Sequence, residues 1–226
     1  LGEAKGGRRD AGQVVANGGA AALAGLIAAG RPTLAVWTIT ASLAAAAADT
    51  WATAVGATSP HLPRHIISGK PITAGQSGGV TLRGTIAAAL GALMVAAAAA
   101  AVTRDLRLLV AAAAIGWVGM VVDSAVGATI QGRFTCPACG VDTERTVHRC
   151  GARTTPISGW RGLTNDGVNA IATGSGALLM TLGALPDVGS EPNAAAWALA
   201  KARPKSASMP ITSPVDFISG PSTVST

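Results

Sequence analysis

The chain has 226 residues, 49% of them hydrophobic and only 12% charged, with 29 glycines, 3% aromatics and a formal net charge of +6. A soluble domain normally carries about a quarter charged residues, so the composition excludes an ordinary water-soluble enzyme and indicates a multi-pass membrane protein. The positive balance is not a nucleic-acid signature, because no basic stripe interleaved with aromatics runs along the chain; it suits loops beside anionic lipid and a phosphorylated ligand.

Taken in order, the chain opens without an initiator Met or a signal-peptide pattern, and a preceding piece, including a first helix, is expected. Lys5, Arg8 and Arg9 lie in a Gly-rich basic segment that flanks the membrane. Asp10, Gln13 and Asn17 follow at spacings of three and four, which places them on one helical face entering the membrane. Span one is predicted from Val14 to Gly30, where Gly30-Arg31-Pro32 ends it. Span two is predicted from Leu34 to Gly56 and carries Asp49 and Thr53 one turn apart, close to its end. Residues 57–77 form a loop with three prolines, closed by Gly75-Gln-Ser-Gly-Gly79. Span three is predicted from Gly78 to Val102, so Gly75, Ser77, Gly78 and Gly79 stand at a helix N-terminus, where backbone N–H groups favour an anion. Glycine turns before helices are common, and this one is no Walker motif.

Thr103 to Arg107 makes a tight return into span four, which holds Asp123 after a long apolar run from Leu108. A carboxylate at that depth costs about 2.5–3.5 kcal/mol and needs a partner or a wet cavity. Gly127 lies one turn further on the same face and admits a close neighbour; Gln131 ends the segment. The polar loop 132–164 contains all three cysteines, as Cys136-Pro-Ala-Cys139 and Cys150, with His148 beside the last. The spacing fits a structural Zn²⁺ knuckle, and the alternatives are a disulfide with one thiol left over or three unpaired thiols. Span five is predicted from Asn165 to Leu185, with Asn165 and Asn169 sharing a face and Asp166 between them. The chain thus divides into a transmembrane domain, 1–185, and a low-complexity tail, 186–226, expected to be disordered.

The fold expected is all-α: a polytopic bundle of about five transmembrane helices with a small cysteine-containing loop. With the N-terminus on one side, that side holds Lys5, Arg8, Arg9, Arg64, Lys70, Arg133, Arg145, Arg149, Arg153 and Arg161. The opposite side holds Arg31, Arg104, Arg107, Lys201, Arg203 and Lys205. The positive-inside rule then puts the first side in the cytoplasm, at the plasma membrane. All the polar anomalies gather at that side: Asp10 and Asn17 entering span one, Asp49 and Asp123 about two turns inside spans two and four, and the glycine turn and Asn165-Asp166 opening spans three and five. Oxygen ligands, N–H donors and cations converging on one cleft match the needs of Mg²⁺-dependent phosphoryl transfer.

The segments Lys5 to Gln13, Ala48-Asp-Thr-Trp-Ala-Thr53, Gly75 to Thr81, Asp123 to Gln131 and Asn165 to Asn169 occur in an order that resembles the transmembrane-protein-19-like family, domain of unknown function 92. That family includes plant phytyl-phosphate kinase, and the resemblance covers roughly residues 5–185. It implies a kinase that converts an isoprenoid monophosphate to the diphosphate with a nucleoside triphosphate, CTP or ATP. On that reading Asp49 and Asp123 hold Mg²⁺, with Asn165, Asp166 and Asn169 completing the cleft. Lys5, Arg8, Arg9 and the glycine turn bind phosphates, alongside Asp10, Asn17, Thr53 and Gln131. Two positions depart from the family pattern: Ala54 stands where a Glu is usual, and Gln76 where a Thr is usual. The rival readings are a transporter or flippase for a small anion or phospholipid, and an inactive family member. A kinase cleft opens to one side, whereas a transporter needs polar residues across the whole membrane. Lipid and an isoprenoid phosphate are the partners expected; the oligomeric state is not encoded in any of these motifs.

Overall fold

The computed structural model describes residues 11–188. Lys5, Arg8, Arg9, Asp10 and nearly all of the expected tail lie outside the described residues. Five helices carry the fold: α1 (Ala11–Ile27), α2 (Pro32–Gly56), α3 (Leu82–Thr103), α4 (Leu106–Thr129) and α5 (Asn165–Val188). By length and apolar composition, α3 and α4 are able to cross a membrane. Their outer faces expose Leu82, Ile86, Leu90, Leu93, Val110 and Val118.

The connections explain the boundaries. Pro32 opens α2 at a position where its missing N–H costs nothing. Arg104 takes a left-handed conformation, and the Asp105 carboxylate accepts from the Arg107 N–H at 2.9 Å to cap α4, so two helices turn back within a few residues. Within the bundle, Thr38 and Thr40 hydroxyls donate to the carbonyls of Leu34 and Val36, at 2.9 and 2.6 Å. These two buried hydroxyls are thereby satisfied inside their own helix.

The central helix is α2, which packs on all four others. Its inner stripe is alanine: Ala41, Ala44, Ala45 and Ala48 have no exposed surface. Glycines of the neighbouring helices meet that stripe. A Cβ at Gly91 of α3 would lie 2.9 Å from the Ala47 carbonyl oxygen, one at Gly116 of α4 2.6 Å from Ala44 Cβ, and one at Gly176 of α5 3.0 Å from the Ala41 carbonyl oxygen. Small residues replace bulk, so backbones approach closely without needing large side chains to interlock. That accounts for a composition rich in Ala and Gly rather than Leu.

Two features differ from the all-α expectation. Short strands appear in the loops: β1 (Arg64–His65) pairs with β2 (Gly79–Val80), and β3 (Arg133–Cys136) lies between β4 (Val141–Thr143) and β5 (Thr155–Ser158). Moreover, α3 starts at Leu82 rather than Gly78, because Gly79 and Val80 are used in a strand and the Thr81 hydroxyl caps the helix, accepting from Gly84 N at 3.0 Å. The glycine turn therefore does not feed the helix directly. The long loops, 57–81 and 130–164, meet at one end of the bundle, here the loop end: Gly78 packs on Ala128 near the end of α4, and Gly56 on Gly84 at the start of α3.

Candidate functional site

Depth in the bundle follows from the packing of small residues. A Cβ on Gly119 of α4 would run into Ala45 of α2 and would lie 3.4 Å from the Ala172 carbonyl oxygen of α5. One turn nearer the loop end, on the same faces, stand Asp49 on α2 and Asp123 on α4. Since α5 runs the opposite way, its residue one turn nearer that end is Asn169. Asp123 and Asn169 are buried, at 6% and 7% exposure, and Asp49 is half-buried. On α1 the matching level is Gln13, because the Thr173 hydroxyl donates to the Ala16 carbonyl at 3.0 Å and ties α1 to α5 just below. Four helices thus contribute one polar residue each to a single layer. The Asn169 Oδ1 atom and the Asn165 Oδ1 atom are buried and accept no hydrogen bond among the described residues, and such atoms in an otherwise apolar bundle ask for a ligand. An all-oxygen donor set of this kind suits Mg²⁺ rather than zinc or copper.

A second layer lies one further turn toward the loop end, where α2, α4 and α5 carry Thr53, Gly127 and Asn165. Gly127 has no side chain, and the loop uses the space: a Cβ there would stand 3.3 Å from Ser77 Cβ, 3.4 Å from Gly78 N and 3.2 Å from Gln131 Oε1. Gly75 and Gly78 both have positive φ, 87° and 79°, which bends the turn onto α4. Glu144, just beyond β4, reaches into this layer. Its carboxylate accepts from the Ser77 hydroxyl through Oε1 and from the Gln131 amide through Oε2, the latter at 2.9 Å. Glu144 is half-buried and Gln131 only 3% exposed.

Not every expected residue joins these layers. Gly75 is exposed, and Gly79 is occupied in the β1–β2 pair. Asn17 sits one turn deeper than Gln13, and Asp166 lies in the first turn of α5, half-buried, where a negative charge suits the helix N-terminus. Ala54 is exposed. Sequence reasoning missed Glu144 as a site residue. It is the only glutamate among the described residues, which was the available signal.

The cysteine loop forms a separate centre. Cys136 and Cys139 flank a turn at the end of β3, and His148 and Cys150 flank another, closed by Gly151 N–H to the His148 carbonyl at 2.9 Å. The four ligand atoms all lie within 4.8 Å of one another. Cys136 Sγ and Cys150 Sγ are 3.6 Å apart, and His148 Nδ1 is 3.1 Å from Cys150 Sγ. The three cysteines are free. Tetrahedral zinc with Zn–S bonds of about 2.3 Å sets its sulfurs about 3.8 Å apart, so the cluster has the dimensions of a metal site. The neighbouring His148 lowers the Cys150 thiol to about 6, while Cys150 and the other sulfur nearby raise Cys139 to about 11. His148 thus favours the thiolate of Cys150, and a cation would be needed to hold that of Cys139.

An Ala-lined helical bundle with carboxylates inside it and apolar outer faces is that of an integral membrane protein. The comparisons make this specific: residues 1–177 match the family described as Integral membrane protein DUF92, and the chain belongs to that family. It is 31% identical over 136 residues to Protein PGR of Arabidopsis thaliana, covering 55% of this chain and 46% of that protein. It is 32% identical over 90 residues to an uncharacterized membrane protein of Methanocaldococcus jannaschii, covering 40% of this chain and 38% of that protein. The chain therefore spans less than half the length of these curated relatives. No solved structure matches it.

Proposed function

We propose that this protein is an integral membrane kinase that transfers a phosphoryl group from a nucleoside triphosphate to an isoprenoid monophosphate, forming the diphosphate. The observation that carries the reading is the polar layer: Asp49, Asp123 and Asn169 come to one level on three helices that otherwise pack through alanine and glycine. Asp49, Asp123 and Asn169 would hold Mg²⁺, with Asn165 one turn above. When bound, the ion supplies charge neutralisation to the phosphates. Ser77 and Gln131 donate hydrogen bonds to phosphate oxygens at the mouth, and no covalent nucleophile is needed because phosphoryl transfer rests on position and charge.

A lipid tail has somewhere to go. An apolar groove of about 230 Å³ runs between α1, α2 and α5, lined by Leu23, Ile27, Ala177 and Leu178 among others, and it begins next to Thr173, one turn below the polar layer. The far half of the bundle is closed by Ala41, Ala96, Leu108, Ala112 and Met180. Such a plug supports a one-sided enzyme cleft over a transporter, which needs a path through. We further assign all five helices as membrane spans, the loop end to the cytoplasm at the plasma membrane, and a structural Zn²⁺ to Cys136, Cys139, His148 and Cys150.

Purified protein is tested for phosphotransfer to phytyl and other prenyl monophosphates with ATP and with CTP. The reading expects diphosphate product that depends on Mg²⁺; no product with any pairing of acceptor and nucleotide would remove the enzyme.

A further inference from the structure

The Glu144 carboxylate stands between donors from two separate segments of the chain. Its two carboxylate oxygens accept from two neutral donors, the Ser77 hydroxyl and the buried Gln131 amide. Those donors belong to different parts of the chain: Ser77 lies in the glycine turn and Gln131 just past the end of α4. Gly127, lacking a side chain, lets both come in against α4: a Cβ there would stand 3.3 Å from Ser77 Cβ and 3.2 Å from Gln131 Oε1. Two neutral donors converging on a pair of anionic oxygens bind a carboxylate and a phosphate monoester by the same chemistry.

Glu144 is also carried by a distinct structural unit. It follows β4, whose register on β3 is Phe134 with Thr143 and Cys136 with Val141. The same β3 strand ends in Cys136 of the Cys/His cluster. Whatever fixes that cluster therefore fixes where Glu144 stands. At its base the two ends of the loop are tied together by backbone bonds, Trp160 N–H to the Ile130 carbonyl at 2.9 Å and Gly132 N–H to the Leu163 carbonyl at 3.1 Å, between the end of α4 and the start of α5.

We propose that Ser77 and Gln131 form a binding site for a phosphate monoester, and that Glu144 is a built-in competing anion that closes the site, with the Cys/His loop as its lid. The identity of the phosphate rests on the kinase reading above; the competition itself does not. Binding of ligand requires the loop to release Glu144, so the apparent affinity is reduced by the fraction of time the site is closed. The metal-sized cluster holds the lid as one piece, so that a single contact governs access.

The test is direct binding to the full chain in detergent, by calorimetry, with inorganic phosphate and with phytyl monophosphate as probes. Glu144→Ala is expected to tighten both by about tenfold, the gain for a site open about a tenth of the time. Ser77→Ala combined with Glu144→Ala is expected to cancel that gain. Tighter binding of phytyl monophosphate than of inorganic phosphate assigns the site to a lipid phosphate, and equal binding assigns it to a free phosphate or nucleotide; both keep the proposal. In the wild type, phosphate should also speed hydrogen exchange across residues 133–158 as the lid lifts. Should Glu144→Ala be poorly folded, Glu144→Gln keeps the size and loses the charge, and the same gain is expected. Binding unchanged or weakened in the folded variant, with loop exchange unmoved by phosphate, overturns the proposal. Tightened binding in a protein that transfers no phosphate keeps the lid and discards the kinase. Transfer activity with affinity indifferent to Glu144 discards the lid alone.

Discussion

Asp49 and Asp123 stand at one depth because Ala45 and Gly119, each one turn away, touch. Two carboxylates so placed in a low-dielectric bundle repel one another, and a divalent cation between them removes the penalty. Asn in place of either Asp keeps the size and removes the charge. In the absence of Mg²⁺, Asp49→Asn and Asp123→Asn are expected to melt at a higher temperature than the wild type, and in its presence to lose the stabilisation that the wild type gains. Thermal melts in detergent with and without Mg²⁺ check this; equal Mg²⁺ responses in all three proteins would make the aspartates packing residues. Both could be found from the sequence, since a carboxylate within an apolar run stands out against its neighbours. Glu144 is marked only by being the one glutamate between residues 11 and 188, and its contact with Ser77, 67 residues away in the chain, is not written in its own neighbourhood.

The helices are held by the fit of glycine against alanine, and that fit is testable one position at a time. At Gly116 an added Cβ would meet Ala44 Cβ at 2.6 Å and the Ala44 carbonyl carbon at 2.9 Å, so neither side can yield cheaply. Gly116→Val is expected to destabilise by about 1–3 kcal/mol through overpacking. Gly174 on α5 has nothing within 4 Å among the described residues, so Gly174→Ala should stabilise by about 0.5–1 kcal/mol through helix propensity. A melt showing the two changes alike would refute this packing. The helix ends were readable because Gly30-Arg31-Pro32 and Thr103 to Arg107 interrupt the apolar runs. The start of α3 was not, since whether Gly79 and Val80 continue a helix or pair with Arg64 and His65 depends on a distant strand. The Cys/His loop carries its own prediction. Metal analysis should find about one zinc per chain, set by its four ligands, and Cys139→Ser should loosen the loop and lower yield without preventing membrane insertion. Well under one zinc per chain would remove the metal.

As a whole, the molecule gathers its polar chemistry at the loop end and seals the other with an apolar plug. If the loop end is cytoplasmic, an impermeant thiol reagent on intact cells should leave Cys136, Cys139 and Cys150 unmodified until the membrane is opened. Ready labelling of Cys139, exposed in the folded loop, would reverse the orientation. That the polar residues gather at one end was readable from their positions along the helices and the helix count, while the stacking of two polar layers was not, because it depends on which turns of α2, α4 and α5 face each other. The central question is whether those layers transfer phosphate. Turnover of phytyl monophosphate by purified protein, measured beside Asp49→Asn and Asp123→Asn, decides it. The account predicts Mg²⁺-dependent diphosphate formation that falls by at least ~100-fold in each variant, the scale of losing one preorganised electrostatic group; near-normal turnover in both variants, or turnover indifferent to Mg²⁺, would contradict it.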